Sequence, residues 1–183
     1  MKVPEGTDEA TSIFAIEEYE NQAALDAHMG SEIVQTLLPD LEREDHHKHL
    51  LHRDMIASHE IHTFPSSISY SRPSTAKCKY PFIVFAGFTF RPRQAATVFP
   101  RLKELMHYYQ ESEPEIPSYT VMEDKEANQL RTVEVYETKD YLHDVHVKSD
   151  AVRKNGEQNG NLRVEGAARA VKCRKVAGWL YRG

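Results

Sequence analysis

Val133-Glu134-Val135-Tyr136-Glu137 is a second writing of Ile16-Glu17-Glu18-Tyr19-Glu20. The likeness continues downstream, where Leu25, His28, Ser31 and Val34 return as Leu142, His146, Ser149 and Val152. Tyr136 follows Tyr19 by 117 positions, but His146 follows His28 by 118, so one residue has been added between Leu142 and His146. Repetition on this scale means two related units, and the fold is best read one unit at a time.

The second unit is the fuller one. Phe82-Ile83-Val84-Phe85-Ala86-Gly87-Phe88-Thr89-Phe90 is an aromatic and β-branched run that stops at Arg91-Pro92, as a strand does. Val98, Leu102, Leu105 and Tyr109 then follow at helical spacing. Pro100 is compatible with that helix only in its first turn. Glu113-Pro114-Glu115-Ile116-Pro117 breaks the helix. Ser118 to Glu123 and Leu130 to Tyr136 alternate as two strands around a polar turn.

Thr138 is a fitting N-cap for a second helix that lines up Leu142, Val145, His146, Ser149 and Val152. Arg153 to Gly166 is polar and glycine-containing and reads as a loop, and Ala170 to Leu180, with Trp179, as a last strand. The order β-α-β-β-α-β is the split βαβ arrangement of ferredoxin-like units, an α+β fold. Its helices cover one face of an antiparallel sheet and leave the other to be covered, for which a second repeat is the natural candidate.

The first unit lacks the counterpart of residues 82–123. It retains a strand from Ser12 to Tyr19, a helix from Ala23 to about Leu38, and a candidate strand near Met55 to Phe64. The expected organisation is therefore a partial first repeat over 1–65, a serine- and proline-rich linker over 66–81, and a complete repeat over 82–183. Either the sequence is a piece of a longer one, half a repeat has been lost, or another chain supplies the missing strands.

Composition narrows the class of function. With 183 residues, 40% hydrophobic and 28% charged, the chain has the make-up of a soluble globular protein. A net charge of -5 gives no reason to expect nucleic acid or an anionic membrane as partner. The start, Met1 to Gly6, shows no signal peptide, and no stretch is apolar for the length of a membrane span. Cys78 and Cys173 read as free thiols of a reducing compartment, hence the cytoplasm, although a disulfide between them is compatible with the sequence.

A tyrosine and glutamate followed by leucine, histidine and serine on the next helix resembles the antibiotic biosynthesis monooxygenase family, of the dimeric α+β barrel superfamily. Glu113-Pro114-Glu115-Ile116-Pro117-Ser118-Tyr119 is similar to that family's lead-in to its second strand, and Gly178-Trp179-Leu180 to its closing strand. The tandem form with a shortened first repeat resembles fungal members. The resemblance implies a cofactor-independent monooxygenase acting on an aromatic or polyketide-like small molecule. Chemistry of that kind needs a base, hydrogen-bond donors for the resulting phenolate and a dry pocket. The sequence carries no flavin or metal fingerprint, so no cofactor is expected.

His146, Tyr136 and Tyr119 are the catalytic candidates: a base that titrates near neutrality and two phenols. Glu134, Trp179, His28 and Tyr19 are the candidates for lining the substrate site. Glu134 could orient His146 if both lie under the helix. A histidine on an apolar helical face is more often a core residue bonded to a carbonyl or carboxylate, and its echo at His28 suits a repeated packing position equally. Trp179 is also suited to the core. A further cluster, His46, His47, His49, His52, His59 and His62, lacks the spacing of zinc hydrolases and lies among charged residues, so no specific metal site is expected there. Two other classes stay open: a non-catalytic ligand-binding barrel, and a cofactor-free isomerase or cyclase using the same base. A sheet face left bare by half a repeat favours a homodimer.

Overall fold

The computed structural model describes Glu17 and residues 19–36, 66–124 and 128–175. The chain divides into two compact units, Glu9–His62, and Met1–Asp8 together with Thr63–Gly183.

In the smaller unit, α1 (Gln22–Met29) starts at Asn21, whose side chain accepts the Ala24 N–H. The helix expected to run on to Leu38 is interrupted: a turn at Gly30-Ser31 precedes a second helical stretch over 32–36. Ser31 opens that stretch, its Oγ accepting the Val34 N–H at 3.4 Å. Of the expected strand from Ser12 to Tyr19, only Glu17 and Tyr19 are among the described residues. The Met55 to Phe64 strand and the histidine cluster from His46 to His62 lie outside them.

The larger unit contains β1 (Ser66–Ser71), β2 (Phe82–Phe90), α2 (Gln94–Ser112), β3 (Ser118–Asp124), β4 (Gln129–Tyr136), α3 (Asp150–Asn159) and β5 (Arg163–Arg174). Its sheet runs β1-β3-β4-β2-β5 with every pairing antiparallel. Strands β2 to β5 with the helices between them form the expected βαββαβ unit. The stretch 66–81, expected to be a linker, instead contributes an additional edge strand: Ile68 and Tyr70 alternate with serines, and β1 pairs with β3 from Ser66↔Glu123 to Ser71↔Ser118. Serine and proline suggested a loop, but the period-two alternation prevailed once an edge was available to pair with.

Period two also sorts β4. Leu130, Thr132, Glu134 and Tyr136 are all buried on the face shared with Tyr119 and Val121 of β3. Val98, Leu102, Met106 and Tyr109 of α2 pack in the same core as Val84, Phe90, Val121 and Leu130. Pro100 lies in the second turn of α2 rather than the first. The start of α2 depends on a distant residue. Arg93 has φ 67 and offers no side-chain cap, whereas Asn128, in the β3–β4 turn with φ 51, accepts the Ala95 N–H at 3.2 Å through Oδ1. Its Nδ2 donates to the Phe90 and Arg91 carbonyls, each at 2.6 Å.

Thr138 caps the helix expected after it, accepting the Tyr141 N–H at 3.1 Å. That helix is not continuous. A short turn, Lys139–Tyr141, passes into a π-helical turn, Leu142–His146, and Ser149 then caps α3 by accepting the Val152 N–H at 3.3 Å. The residue added to the second copy is therefore absorbed as a π-bulge, the usual accommodation of one extra residue in a helix. Residues 153–166, expected as a loop, hold most of α3 and the start of β5, because the Ser149 cap outweighs the weak propensity of Gly156. The final strand lies earlier than expected, at Arg163–Arg174, and Trp179 is outside the described residues. Cys78 and Cys173 are free thiols.

Candidate active site

The face of the sheet under the helices carries an unusual concentration of buried polar groups. Glu134 is only 9% exposed, and its carboxylate accepts three hydroxyls: Tyr119 at 2.8 Å, Thr132 at 2.8 Å and Tyr136 at 2.7 Å. The hydrogens of both candidate phenols are thus committed to Glu134. Tyr119 and Tyr136 are held protonated, their pKa values pushed well above the usual phenol range by burial first and by the Glu134 charge second.

His146 is 5% exposed and faces this cluster from the π-helical turn. Its carboxylate partner is Glu113, not Glu134: His146 Nδ1 and Glu113 Oε2 are 2.9 Å apart. A carboxylate accepts only from an N–H, so Nδ1 carries a proton, and in the neutral imidazole Nε2 is the nitrogen with the lone pair. No described residue bonds Nε2. Tyr141 also donates to Glu113 Oε2, at 3.2 Å, and its pKa is pushed up to about 12 by burial and then by the Glu113 charge. Glu113 Oε1 is buried without a hydrogen bond.

Tyr109 joins the two groups. Its ring lies 4.8 Å from that of His146, edge to face, and 5.4 Å from that of Tyr119. The Tyr136 ring is tilted 57° to that of His146, their centroids 5.2 Å apart. Burial, then Glu134 and Glu113, raise the Tyr109 pKa.

The loop that presents Glu113 is secured by the segment once expected to be linker. Tyr70 donates to the Ile116 carbonyl at 3.1 Å, and Thr75 to that of Pro117 at 2.8 Å. Arg72 donates to the carbonyls of Tyr109 and Ile116, at 3.3 and 3.4 Å, and to that of Gln110. Sequence reasoning missed Glu113, Tyr109 and Tyr141. The Glu113 stretch read as a helix breaker and as the lead-in to a strand, yet Tyr109 and Glu113 are four apart, the spacing that places two side chains on one side of a helix end.

In the first copy, Tyr19 donates to Glu17 and its ring lies 5.4 Å from that of His28, repeating the Glu134–Tyr136–His146 relationship. His28 bonds Glu17 itself, Nε2 to Oε2 at 3.2 Å, with both side chains about half exposed.

A cavity of about 280 Å³ lies elsewhere, between β1 and α2, lined by Ile68, Tyr70, Lys103, Met106, His107 and Gln110. None of the groups bonded to Glu113 or Glu134 lines it. The polar cluster, where burial and directed hydrogen bonds coincide, is the candidate site. Among the described residues no group of three His, Cys, Asp or Glu is placed to hold a metal ion. No helix among them is long and apolar enough to cross a membrane.

An antiparallel split βαβ sheet, helices on one face and a buried acid, imidazole and phenol cluster between them define an α+β, ferredoxin-like protein of the α+β barrel type. Residues 81–158 match the family model of antibiotic biosynthesis monooxygenases. A candidate monooxygenase structure from Lactobacillus acidophilus NCFM is similar, with a TM-score of 0.57 and 14% identity, over 85% of this chain and 67% of that one. A candidate antibiotic biosynthesis monooxygenase structure from Bacteriodes thetaiotaomicron VPI-5482 gives a TM-score of 0.51 at 14% identity, over 58% of this chain and 99% of that one. At such identities the likeness is one of fold. No curated protein matches the sequence.

Proposed function

We propose that the protein is a cofactor-independent monooxygenase that oxidises an aromatic or polyketide-like small molecule, with His146 as its base. The observation that carries this reading is the orientation of His146. Glu113 holds Nδ1, and Nε2 keeps its lone pair in a site largely removed from water. A base so placed takes a proton from an acidic C–H or O–H of the substrate, and the Glu113 carboxylate balances the imidazolium that forms.

The substrate carbanion then reduces dioxygen by one electron, and the two radicals combine into a hydroperoxide. Loss of water from it leaves a carbonyl, so a CH2 group and O2 become C=O and H2O. His146 gives its proton to the peroxide anion to form that hydroperoxide, then takes the remaining C–H proton and passes it to the departing hydroxide. Tyr136, Tyr119 and Glu134 line the site and keep it polar but dry. The second copy is the site of reaction on this reading, because its imidazole–carboxylate pair is buried whereas His28 and Glu17 are about half exposed. The protein works in the cytoplasm on this reading, with which its two free thiols agree, and it works there as a homodimer.

Oxygen uptake by metal-stripped protein given an anthrone, which carries an acidic CH2 between two aryl rings, tests the reading. Uptake that His146→Ala abolishes, with the fold intact by circular dichroism, is the expected result. Uptake that survives the substitution removes His146 from the mechanism. Exchange of the CH2 hydrogens for deuterium without uptake identifies an isomerase or cyclase. Neither activity leaves a ligand-binding barrel.

A further inference from the structure

The cavity of about 280 Å³ between β1 and α2 stands apart from the polar cluster, and it exists because the chain has β1. Strands β2 to β5 complete the βαββαβ unit without that strand, which adds Ile68 and Tyr70 to the side of the sheet that α2 covers. The apolar wall is fixed before any ligand arrives. Tyr70 and Met106 are both buried, and the Tyr70 hydroxyl donates to the Ile116 carbonyl at 3.1 Å. The Arg72 guanidinium lies 5.6 Å from the centre of the same ring. A preformed apolar wall beside a few polar groups is the usual make-up of a small-molecule site.

The polar groups come from α2. Lys103, His107 and Gln110 follow one another at steps of four and three, a single stripe of the helix, and all three are exposed at the cavity. None of their side chains makes a hydrogen bond or ion pair among the described residues. Elsewhere helical cations are paired, Lys148 with Asp144, and Arg153 with Asp150 and Glu157. No acidic side chain lines the cavity. An ammonium group beside an apolar wall, with no lining carboxylate, is complementary to an anion that carries an apolar body.

We infer that this cavity binds a single-ring aromatic carboxylate, its ring against Ile68, Tyr70 and Met106 and its carboxylate on Lys103. His107 and Gln110 give the same carboxylate further hydrogen-bond donors. Size, wall and charge each narrow the class. The volume is at the small end of pockets, which run from roughly 300 Å³ upward, so it admits one substituted ring and not a polycycle. A phenol ring and a thioether in the wall favour an aromatic partner. Lys103 supplies one point charge and no guanidinium lines the cavity, which suits a carboxylate better than a phosphate. The binding is independent of the oxygenase reading, because no residue of that mechanism lines the cavity.

The test titrates benzoate into the full chain labelled with carbon-13 at its methionine methyls, with Met106 assigned through Met106→Leu. Benzamide, of nearly the same shape but uncharged, is titrated in parallel. Met122 serves as an internal control, since it follows Val121 in β3 and so points to the other face of the sheet. The expected result is a saturable shift of the Met106 methyl while that of Met122 stays in place. Benzamide is expected to bind about fivefold more weakly, and Lys103→Gln to weaken benzoate by about the same factor. Lys154→Gln, which changes an exposed lysine of α3, leaves the affinity as it was. A Met106 methyl that benzoate does not move overturns the inference, as do equal binding of benzamide and a Lys103→Gln variant that binds like wild type. Shifts of the His146 ring signals with Met106 unmoved put the ligand in the polar cluster and overturn it too. Lys103-dependent binding without oxygen uptake from an anthrone upholds the inference and sinks the oxygenase reading alone.

Discussion

His146 Nδ1 is bonded to Glu113 Oε2 across 2.9 Å, and 33 residues of chain separate them. The bond assigns the imidazole's proton to Nδ1 in the folded protein. Long-range proton–nitrogen spectra of histidine-labelled protein, with His146 assigned by substitution, are expected to show that tautomer. Glu113→Ala leaves the Tyr141 hydroxyl and Nδ1 without an acceptor, at a cost of about 2–4 kcal/mol. In that variant the tautomer preference of His146 is lost. A His146 that keeps its Nδ1–H form in Glu113→Ala would show that some other group orients it.

The Glu134 cradle is expected to behave as one unit. Tyr136→Phe or Tyr119→Phe each removes a hydroxyl bonded to a buried carboxylate and is expected to cost about 1.5–3 kcal/mol by denaturant unfolding. The two residues share Glu134, so the double variant departs from the sum of the singles by at least about 0.5 kcal/mol. Strict additivity would mean that the hydroxyls act independently.

Alkali is expected to unfold the protein through its tyrosines. Tyr141 titrates at about 12 in the folded chain, and Tyr109, Tyr119 and Tyr136 are also raised above the phenol value of 10.0 that applies once unfolded. A folded pKa above the unfolded one means that the native state binds the proton more tightly. The stabilisation is complete below pH 10 and declines as pH climbs toward 12 and beyond. Ultraviolet titration of phenolate should show a group of tyrosines ionising only together with loss of near-ultraviolet circular dichroism. Early and reversible ionisation of all nine tyrosines would contradict their burial.

The π-bulge is expected to be what aims His146. Deleting His143, an exposed residue of the π turn, restores the spacing of the first copy and turns the following side chains by about 100° relative to the preceding helix. The variant should fold, since Ser149 still caps α3, but lose the fixed His146 tautomer. Retention of that tautomer would show that the helix can unwind elsewhere.

Asn128 is expected to matter more than its place in a turn suggests. Asn128→Gly tolerates φ 51 but loses the cap of α2 and both bonds to the Phe90 and Arg91 carbonyls. A loss of about 1–2 kcal/mol in thermal unfolding is predicted. A change within about 0.3 kcal/mol would mean that α2 starts without this residue.

Much of the unit from 82 onward was legible because its signals are local. The strand at 82–90, the break at Glu113 and the Thr138 cap all depend on residues near one another in the chain. The repeated serine shows the same logic at finer scale, since Ser31 and Ser149 each cap a helical stretch three residues before a repeated valine. The errors arose where a distant neighbour decides. β1 exists as a strand because β3 offers an edge, and Asn128 starts a helix that precedes it in the chain. The site followed suit. His146, Tyr136 and Tyr119 were visible as residue types, but Glu113 was invisible as their companion because nothing local connects position 113 with position 146.

The chain alone determined the repeated stretch, the order of the α+β elements from 82 onward and the single added residue between Leu142 and His146, since periodicity, capping and repetition are written along the backbone. Tertiary structure alone decided that the added residue becomes a π turn, and that Glu113 rather than Glu134 meets the imidazole. Hydrogen bonds between side chains require proximity and desolvation, and neither exists until the sheet and helices close over one another.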